Sequence, residues 1–349
     1  MLGPDAAVSG PAKQVQNVAA LWIGRVGDLI VSTPLLRSLR RAFPDARILL
    51  VTSEPCADTA GLIPFVDEVA VLRGFYRPMA AARLAAALLG RSWDLLVDLN
   101  PSFSKTSAAL AALARARVRL SFKKGRLDRA FTRQVEAPGL AEHMLDRYRR
   151  LAAAFGGEFD ERTELSLTSA HEKAAGWLLI EAGILPDKLN VLIHPGNFKK
   201  FDHRWPQEKF AALTDLLLKE QDVRLVYLAG PGEEARVRGI LAGLSVAVPL
   251  IGPASIGVTA AVLRPFDLCV VNATGTMHLA AAVGTPTFGF YSGYADKVWR
   301  PRGPRHIGLV SRSWTSCRDI TVEEAYAALR SEFARRLPAE GRSPPGLDE

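Results

Sequence analysis

At 349 residues, with 48% hydrophobic and 23% charged residues, the chain is long enough for two ordinary domains and has a globular rather than a disordered composition. Its formal charge of +8 points to an anionic partner, while no stretch has the apolar length of a membrane span and the opening MLGPDAAVSGPAKQVQN lacks the regions of a signal peptide. Cys56, Cys269 and Cys317 are odd in number and far apart, forming neither a metal spacing nor a disulfide framework, as expected of a protein in a reducing cytoplasm.

Residues 1–17 read as a disordered lead-in. Val18 to Ile23 is a strand, Gly24 to Asp28 a glycine turn carrying a carboxylate, and Leu29 to Phe43 a helix with Pro34 tolerated early in it. Arg47 to Thr52 is the next strand, which completes a βαβ unit. Gly24 and Gly27 lack the third glycine and the acidic partner of a dinucleotide fingerprint. The alternation continues with a strand at Val66 to Leu72, a helix at Pro78 to Leu89 and a strand at Leu95 to Leu99. A helix follows at Thr106 to Ala114, a strand at Val118 to Phe122 and a helix at His143 to Phe155. Arg115 to Arg133 is rich in cations, among them Arg117, Arg119, Lys123, Lys124 and Arg126. This is either an anion- or membrane-facing patch or a solvated basic face. No nucleic-acid motif accompanies it.

The sequence turns polar between Gly156 and Thr168, which places the boundary between domains 18–165 and 166–336. The second half repeats the pattern with a helix at His171 to Ala182, a strand at Asn190 to His194, and Pro195-Gly196-Asn197. The basic loop Phe198 to Arg204 then leads into a helix at Glu208 to Lys219. Val223 to Ala229 is a strand, Glu233 to Leu241 a helix after Gly230-Pro231-Gly232, and Ile256 to Leu263 a further helix. The buried-strand run Leu268 to Val271 leads through Asn272 to Thr276 into the helix Met277 to Val283, and Gly284 and Pro286 stop it before the strand Thr285 to Tyr291. A loop covers Arg300 to Ile307, a helix Val322 to Arg335, and a Pro/Gly-rich tail, expected to be disordered, residues 337–349. The fold class is therefore α/β, as two Rossmann-like domains facing a central cleft.

In a parallel sheet, ligands bind at the carboxyl ends of strands. Asn272 or Thr274 can cap the helix that follows, which leaves the amides of Gly275, Thr276 and Met277 for an anion, with His278 as a further donor. An ordinary capped helix start has the same chemistry. Asp28 can act as a general base or cap its own helix. Together a base and a phosphate-binding turn suit group transfer from an activated phosphate ester. No D-x-D is present to clamp a metal, so protein cations would have to stabilise the leaving diphosphate.

Five blocks in this order resemble the ADP-heptose:lipopolysaccharide heptosyltransferases, glycosyltransferases of the GT-B fold. They are Gly27 to Arg37 with Phe43 to Ile48, Ile193 to Gly196 with Arg204 to Phe210, Gly230 to Glu234, Asn272 to Ala280, and Cys317 to Val322. The resemblance covers roughly Val18 to Arg335. It implies Asp28 as catalytic base and Thr274, Gly275, Thr276 and His278 as ligands of the donor diphosphate and sugar, with Glu234 or Glu233 at the ribose. Gly196, Asn197, Lys199, Lys200, His203, Arg204 and Asn272 complete the expected donor site. The implied donor is ADP-heptose without a metal cofactor. The acceptor is an anionic glycolipid met by a monomer at the cytoplasmic face of the inner membrane, and no nucleic acid is involved.

Two positions depart from the family pattern. Ala273 stands where many members carry aspartate, and His203 where many carry lysine, with Lys199 and Lys200 near enough to replace it. A transferase using another nucleotide sugar, or a catalytically silent nucleotide-sugar-binding protein, therefore remains an alternative. A nicotinamide oxidoreductase is disfavoured by the missing glycine.

Overall fold

A computed structural model describes residues 15–73, 84, 86–196 and 204–336. The chain divides into two compact units, the first ending at Leu167 and the second beginning at Thr168.

In the N-terminal unit, the strands are β1 (Asn17–Trp22), β2 (Arg47–Ser53), β3 (Glu68–Leu72), β4 (Trp93–Asp98), β5 (Ala116–Phe122) and β6 (Arg133–Val135). They form one parallel sheet in the order β3-β2-β1-β4-β5-β6. The chain runs outward from β1 in one direction and from β4 in the other, so the switch point lies between β1 and β4, where crevices open at strand ends. β1 is apolar almost throughout because helices cover both faces of such a sheet. The helices are α1 (Val26–Val31), α2 (Thr33–Ala42), α3 (Ala57–Ala60), α4 (Lys105–Leu113) and α5 (Met144–Ala154), and α2 packs on α5. Of the helix expected over 78–89, only residues 84 and 86–89 are described, and these are helical.

The helix expected from Leu29 to Phe43 is two helices. Pro34 has no N–H to give the Ile30 carbonyl, and the Thr33 hydroxyl donates to that carbonyl instead at 2.8 Å. The helix also begins earlier than expected. Asp28 sits in the first turn of α1, behind the N-cap Arg25, and not in the preceding turn.

In the C-terminal unit, the strands are β7 (Leu189–His194), β8 (Val223–Leu228), β9 (Leu250–Ile251), β10 (Leu268–Asn272), β11 (Thr287–Tyr291) and β12 (His306–Val310). All pair in parallel in the order β12-β11-β10-β7-β8-β9, with the switch point between β7 and β10. The helices are α6 (Ser169–Glu181), α7 (Gln207–Leu217), α8 (Glu234–Leu241), α9 (Ile256–Leu263), α10 (Gly275–Ala282), α11 (Gly293–Trp299) and α12 (Val322–Arg336). One layer packs α6 and α10 against α9, and another packs α12 and α8 against α7. α10 stops where Gly284 adopts φ +86°, the left-handed conformation that closes helices. The expected loop from Arg300 to Ile307 runs into β12, and α11 was not anticipated. β6 and β9, at three and two residues, are too short to carry a periodic pattern.

The aromatic centre of this unit is Trp205, fully buried, stacked on Phe290 with centroids 4.1 Å apart and meeting Phe210 edge-on at 5.0 Å. Trp205 Nε1 donates to the Ile320 carbonyl at 2.9 Å, and Lys209 Nζ donates to the carbonyls of Ile320 and Arg318 at 2.8 and 2.7 Å. The start of α7 and the segment before α12 are thereby clamped together.

Candidate active site

The turn after β10 stands at the switch point of the C-terminal sheet. Asn272, the last residue of β10, accepts from the Trp205 N–H at 2.8 Å and donates to the Pro195 and Gly196 carbonyls at 3.1 and 3.2 Å. It is fully buried. This corrects the expectation of a donor contact, because a side chain with no exposed surface and its amide engaged by backbone has none to offer a ligand. Asn272 instead ties the end of β7 and the entry to α7 against the end of β10.

Thr274 occupies the N-cap of α10 with extended backbone, but its side chain makes no capping bond, and its hydroxyl is buried without a hydrogen-bond partner. Gly275 and Thr276 open the helix. His278, on the same first turn, is buried, its ring steeply inclined to that of Trp299 with centroids 6.1 Å apart.

A second cluster closes the other side of the switch. β7 ends on His194, whose Nε2 lies 3.0 Å from Glu233 Oε2, and the same carboxylate oxygen accepts the Gly230 N–H at 3.0 Å. His194 Nδ1 is buried without a partner. The backbone approaches these side chains closely: a Cβ on Gly196 would lie 2.1 Å from His194 Cε1, so a side chain there would displace the His194 ring, and one on Gly230 would lie 2.9 Å from the Glu233 carboxylate. Of the two acids the resemblance offers for the ribose, Glu234 turns outward to pair with Arg238 at 2.7 Å. Glu233 is the acid that joins the strand ends. Arg204 lines a pocket with Arg236 and Arg318. Asn197, Lys199, Lys200 and His203 lie outside the described residues.

In the N-terminal unit, a hydrogen-bond network pins the backbone that leads to Asp28. The Gly24 carbonyl accepts from Ser53 Oγ at 3.1 Å and Cys56 Sγ at 3.3 Å, and the Arg25 carbonyl from Trp22 Nε1 at 3.2 Å. Asn100 Nδ2 donates to the Ile23 carbonyl at 3.0 Å, while its N–H is held by Asp98 Oδ1 at 3.0 Å. Asp28 itself is half-buried. The phenol of the buried Tyr148 is pushed well above its ordinary pKa, first by burial and next by the Asp28 charge, and its hydroxyl has no hydrogen-bond partner.

Lys124 does not belong to the surface patch expected of it. Its Nζ lies 2.5 Å from Asp98 Oδ2, and the two side chains are 1% and 0% exposed. The buried carboxylate at the end of β4 needs a counter-ion, and Lys124 supplies it. Arg119 is half-buried, with Nε on the Ala130 carbonyl at 2.8 Å. Arg117 and Arg126 are exposed, as is Lys123, which pairs with Glu136 at 2.5 Å. Among the described residues no group of three or more His, Cys, Asp or Glu is arranged to hold a metal ion, and no helix is long and apolar enough to cross a membrane.

Sequence reasoning attached no role to His194, Arg236, Lys209 or Arg318. His194 was visible as the histidine of an H-P-G strand end. Lys209 and Arg318 lie within the Arg204 to Phe210 and Cys317 to Val322 blocks, whereas Arg236, on α8, lies in none of the five.

Two doubly wound α/β units, each with a six-stranded parallel sheet and a switch point in its strand order, have the architecture of GT-B glycosyltransferases. The sequence profile of glycosyltransferase family 9 (heptosyltransferase) matches residues 81–326, and the chain belongs to that family of glycosyltransferase enzymes. It is 25% identical over 294 residues to lipopolysaccharide heptosyltransferase 3 of Escherichia coli, covering 79% of this chain and 83% of that protein. Its fold matches the glycosyl transferase family 9 structure from Veillonella parvula with TM-score 0.80 at 18% identity, over 93% of this chain and 99% of the other. E. coli ADP-heptose LPS heptosyltransferase II matches with TM-score 0.75, also at 18% identity, over 92% and 99%.

Proposed function

We propose that the protein transfers heptose or a related sugar from an ADP-sugar donor to a lipopolysaccharide core or other lipid-linked glycan, with inversion and without a metal. The observation that carries this reading is the β10–α10 turn, where Thr274 leaves its hydroxyl uncommitted beside a helix N-terminus at the switch point of a family 9 fold. A nucleotide diphosphate suits such a terminus because backbone amides and the helix dipole favour negative charge. The donor names of the relatives support ADP-heptose.

In this reading Asp28 takes the proton of the acceptor hydroxyl as the oxygen attacks the anomeric carbon. The bond from that carbon to the phosphate oxygen breaks, the electron pair leaves with ADP, and the configuration inverts. Thr274, Gly275, Thr276, His278 and Arg204 stabilise the diphosphate charge, with Gly196, Asn197, Lys199, Lys200 and His203 completing the donor site. Glu233, in place of Glu234, is the acid for the ribose, because it faces the strand ends. Exposed Arg117, Lys123 and Arg126 suit an anionic glycolipid, so the enzyme acts as a peripheral monomer at the cytoplasmic membrane face.

The test is Asp28→Asn, which retains size and polarity and removes basicity. The thermal melting point and ADP affinity are expected to stay at wild-type values while transfer falls by on the order of 10²-fold or more. Transfer at near wild-type rate would remove Asp28 from the base role.

A further inference from the structure

β7 and β8 run side by side with Ile193 opposite Tyr227, so the end of β7 at His194 meets the turn that follows β8. That turn, Gly230 to Glu233, is closed by the Glu233 N–H donating to the Gly230 carbonyl at 3.0 Å. Pro231 stands at its second position, and Gly232 at its third has φ +76°, the combination a type II turn favours. The turn sends the Glu233 side chain back over its own start. There one carboxylate oxygen meets both the Gly230 N–H and His194 Nε2, each at 3.0 Å.

The two side chains differ in what they offer a ligand. That of His194 is 4% exposed and that of Glu233 20%, so a molecule arriving from solvent meets the carboxylate, with the imidazole behind it. An ionised carboxylate only accepts, so Nε2 is the donor between them. The other ring nitrogen, Nδ1, is buried without a hydrogen-bond partner, so among the described residues the ring's polar commitment is to Glu233. The Gly196 backbone packs against the same ring, which fixes its place.

We infer that His194 is a positioning residue for the donor: it holds the Glu233 carboxylate toward the ribose hydroxyls and does not touch the nucleotide itself. The inference rests on the reading of Glu233 as the acid for the ribose. A hydroxyl donating to an oriented carboxylate makes a charge-assisted bond, and a carboxylate that must first be ordered gives part of that gain back.

Calorimetric titration into the full-length protein gives the test, with ADP and with dideoxyadenosine diphosphate, which lacks both ribose hydroxyls. His194→Gln places an amide N–H close to the position of Nε2 and is expected to keep ADP affinity within twofold of wild type. His194→Asn carries its amide near the position of Nδ1, out of reach of Glu233. It is expected to bind ADP about tenfold more weakly, the worth of a hydrogen bond to a charged group. Its affinity for the dideoxy nucleotide should equal that of wild type, because neither protein then has a ribose hydroxyl to hold. In a Glu233→Ala background, His194→Asn is expected to add no further loss, since a residue that acts through another has no effect once that other is gone. Melting curves establish that each variant is folded, and His194→Leu replaces His194→Asn if the latter does not melt cooperatively.

Equal ADP affinities in His194→Gln and His194→Asn would overturn the proposal. So would an equal loss for both nucleotides, or losses that add in the double variant, either of which would make His194 a structural residue of the strand end. An ADP affinity unchanged by Glu233→Ala would instead remove the ribose reading, and the proposal with it, while leaving the Asp28 test untouched.

Discussion

The Lys124 ammonium and the Asp98 carboxylate meet at 2.5 Å in almost complete isolation from water. Asp98 also accepts the Asn100 N–H, and Asn100 holds the Ile23 carbonyl, so the ion pair anchors the backbone that leads into α1 and Asp28. Burial raises the Asp98 pKa, and Lys124 works against that rise. Removing one partner of such a pair leaves a buried charge without compensation. Lys124→Met is expected to cost roughly 3–5 kcal/mol of unfolding free energy, and adding Asp98→Asn should restore most of it. Urea denaturation of the single and double variants measures both. A single variant within 1 kcal/mol of wild type would mean that the pair contributes little.

At the scale of elements, the clamp around Trp205 organises the C-terminal unit. Its ring fills the space between α7 and β11, and its N–H fixes the segment before α12. Trp205→Ala removes the stack on Phe290 and opens a cavity, for which roughly 3–5 kcal/mol is expected. Trp205→Phe keeps a ring against Phe290. It also leaves no orphaned acceptor, because Lys209 still donates to the Ile320 carbonyl at 2.8 Å. Its cost should be about 1–2 kcal/mol. Denaturation followed by far-UV circular dichroism distinguishes the two, and equal losses would show that packing of the ring is not the main contribution. The α1–α2 break works differently. Pro34 interrupts the backbone ladder and the Thr33 hydroxyl replaces the missing donor, so the chain changes direction without leaving a buried carbonyl unpaired.

For the whole molecule, acid is the sensitive direction. His306, at the start of β12, has its pKa lowered from 6.5 to about 4 by burial and then by Arg305, Arg300 and Arg336. Between those values the unfolded chain binds a proton that the folded chain does not, so stability falls as pH drops from 6.5 to about 4 and this contribution is fully lost below it. The difference is worth on the order of 3 kcal/mol at most. Depressed carboxylates extend the loss to lower pH. Asp160, held at about 2 chiefly by its hydrogen bond to Arg162, adds stability above the ordinary carboxylate pKa that disappears as pH falls toward 2. His306→Gln should therefore flatten the pH dependence of the urea midpoint between 6.5 and 4 and leave the slope below 4 in place. An unchanged slope in the upper window would assign it to other groups.

The sequence by itself determined the α/β class and most elements, because hydrophobic period and Gly/Pro punctuation are local properties of the backbone. The helix at Ile256–Leu263 has the same bounds by pattern and by structure. The turn between β10 and α10 was legible for the same reason, as a run of β-branched residues ending in small polar ones. Tertiary structure alone decided which side chains face that turn. Asn272 is inward because β10 neighbours β7, which brings it to Pro195 and Gly196, 77 and 76 residues earlier in sequence. Lys124 is interior because β5 lies beside β4 and its end meets a buried aspartate, whereas its neighbour Lys123 stays in solvent. His194 faces Glu233 only because β8 lies next to β7, and Arg236 and Arg318 reach Arg204 only once α7, α8 and the segment before α12 have packed. Charge and residue type are written in the chain, but whether a charge is solvated, paired or crowded depends on contacts between residues far apart in sequence.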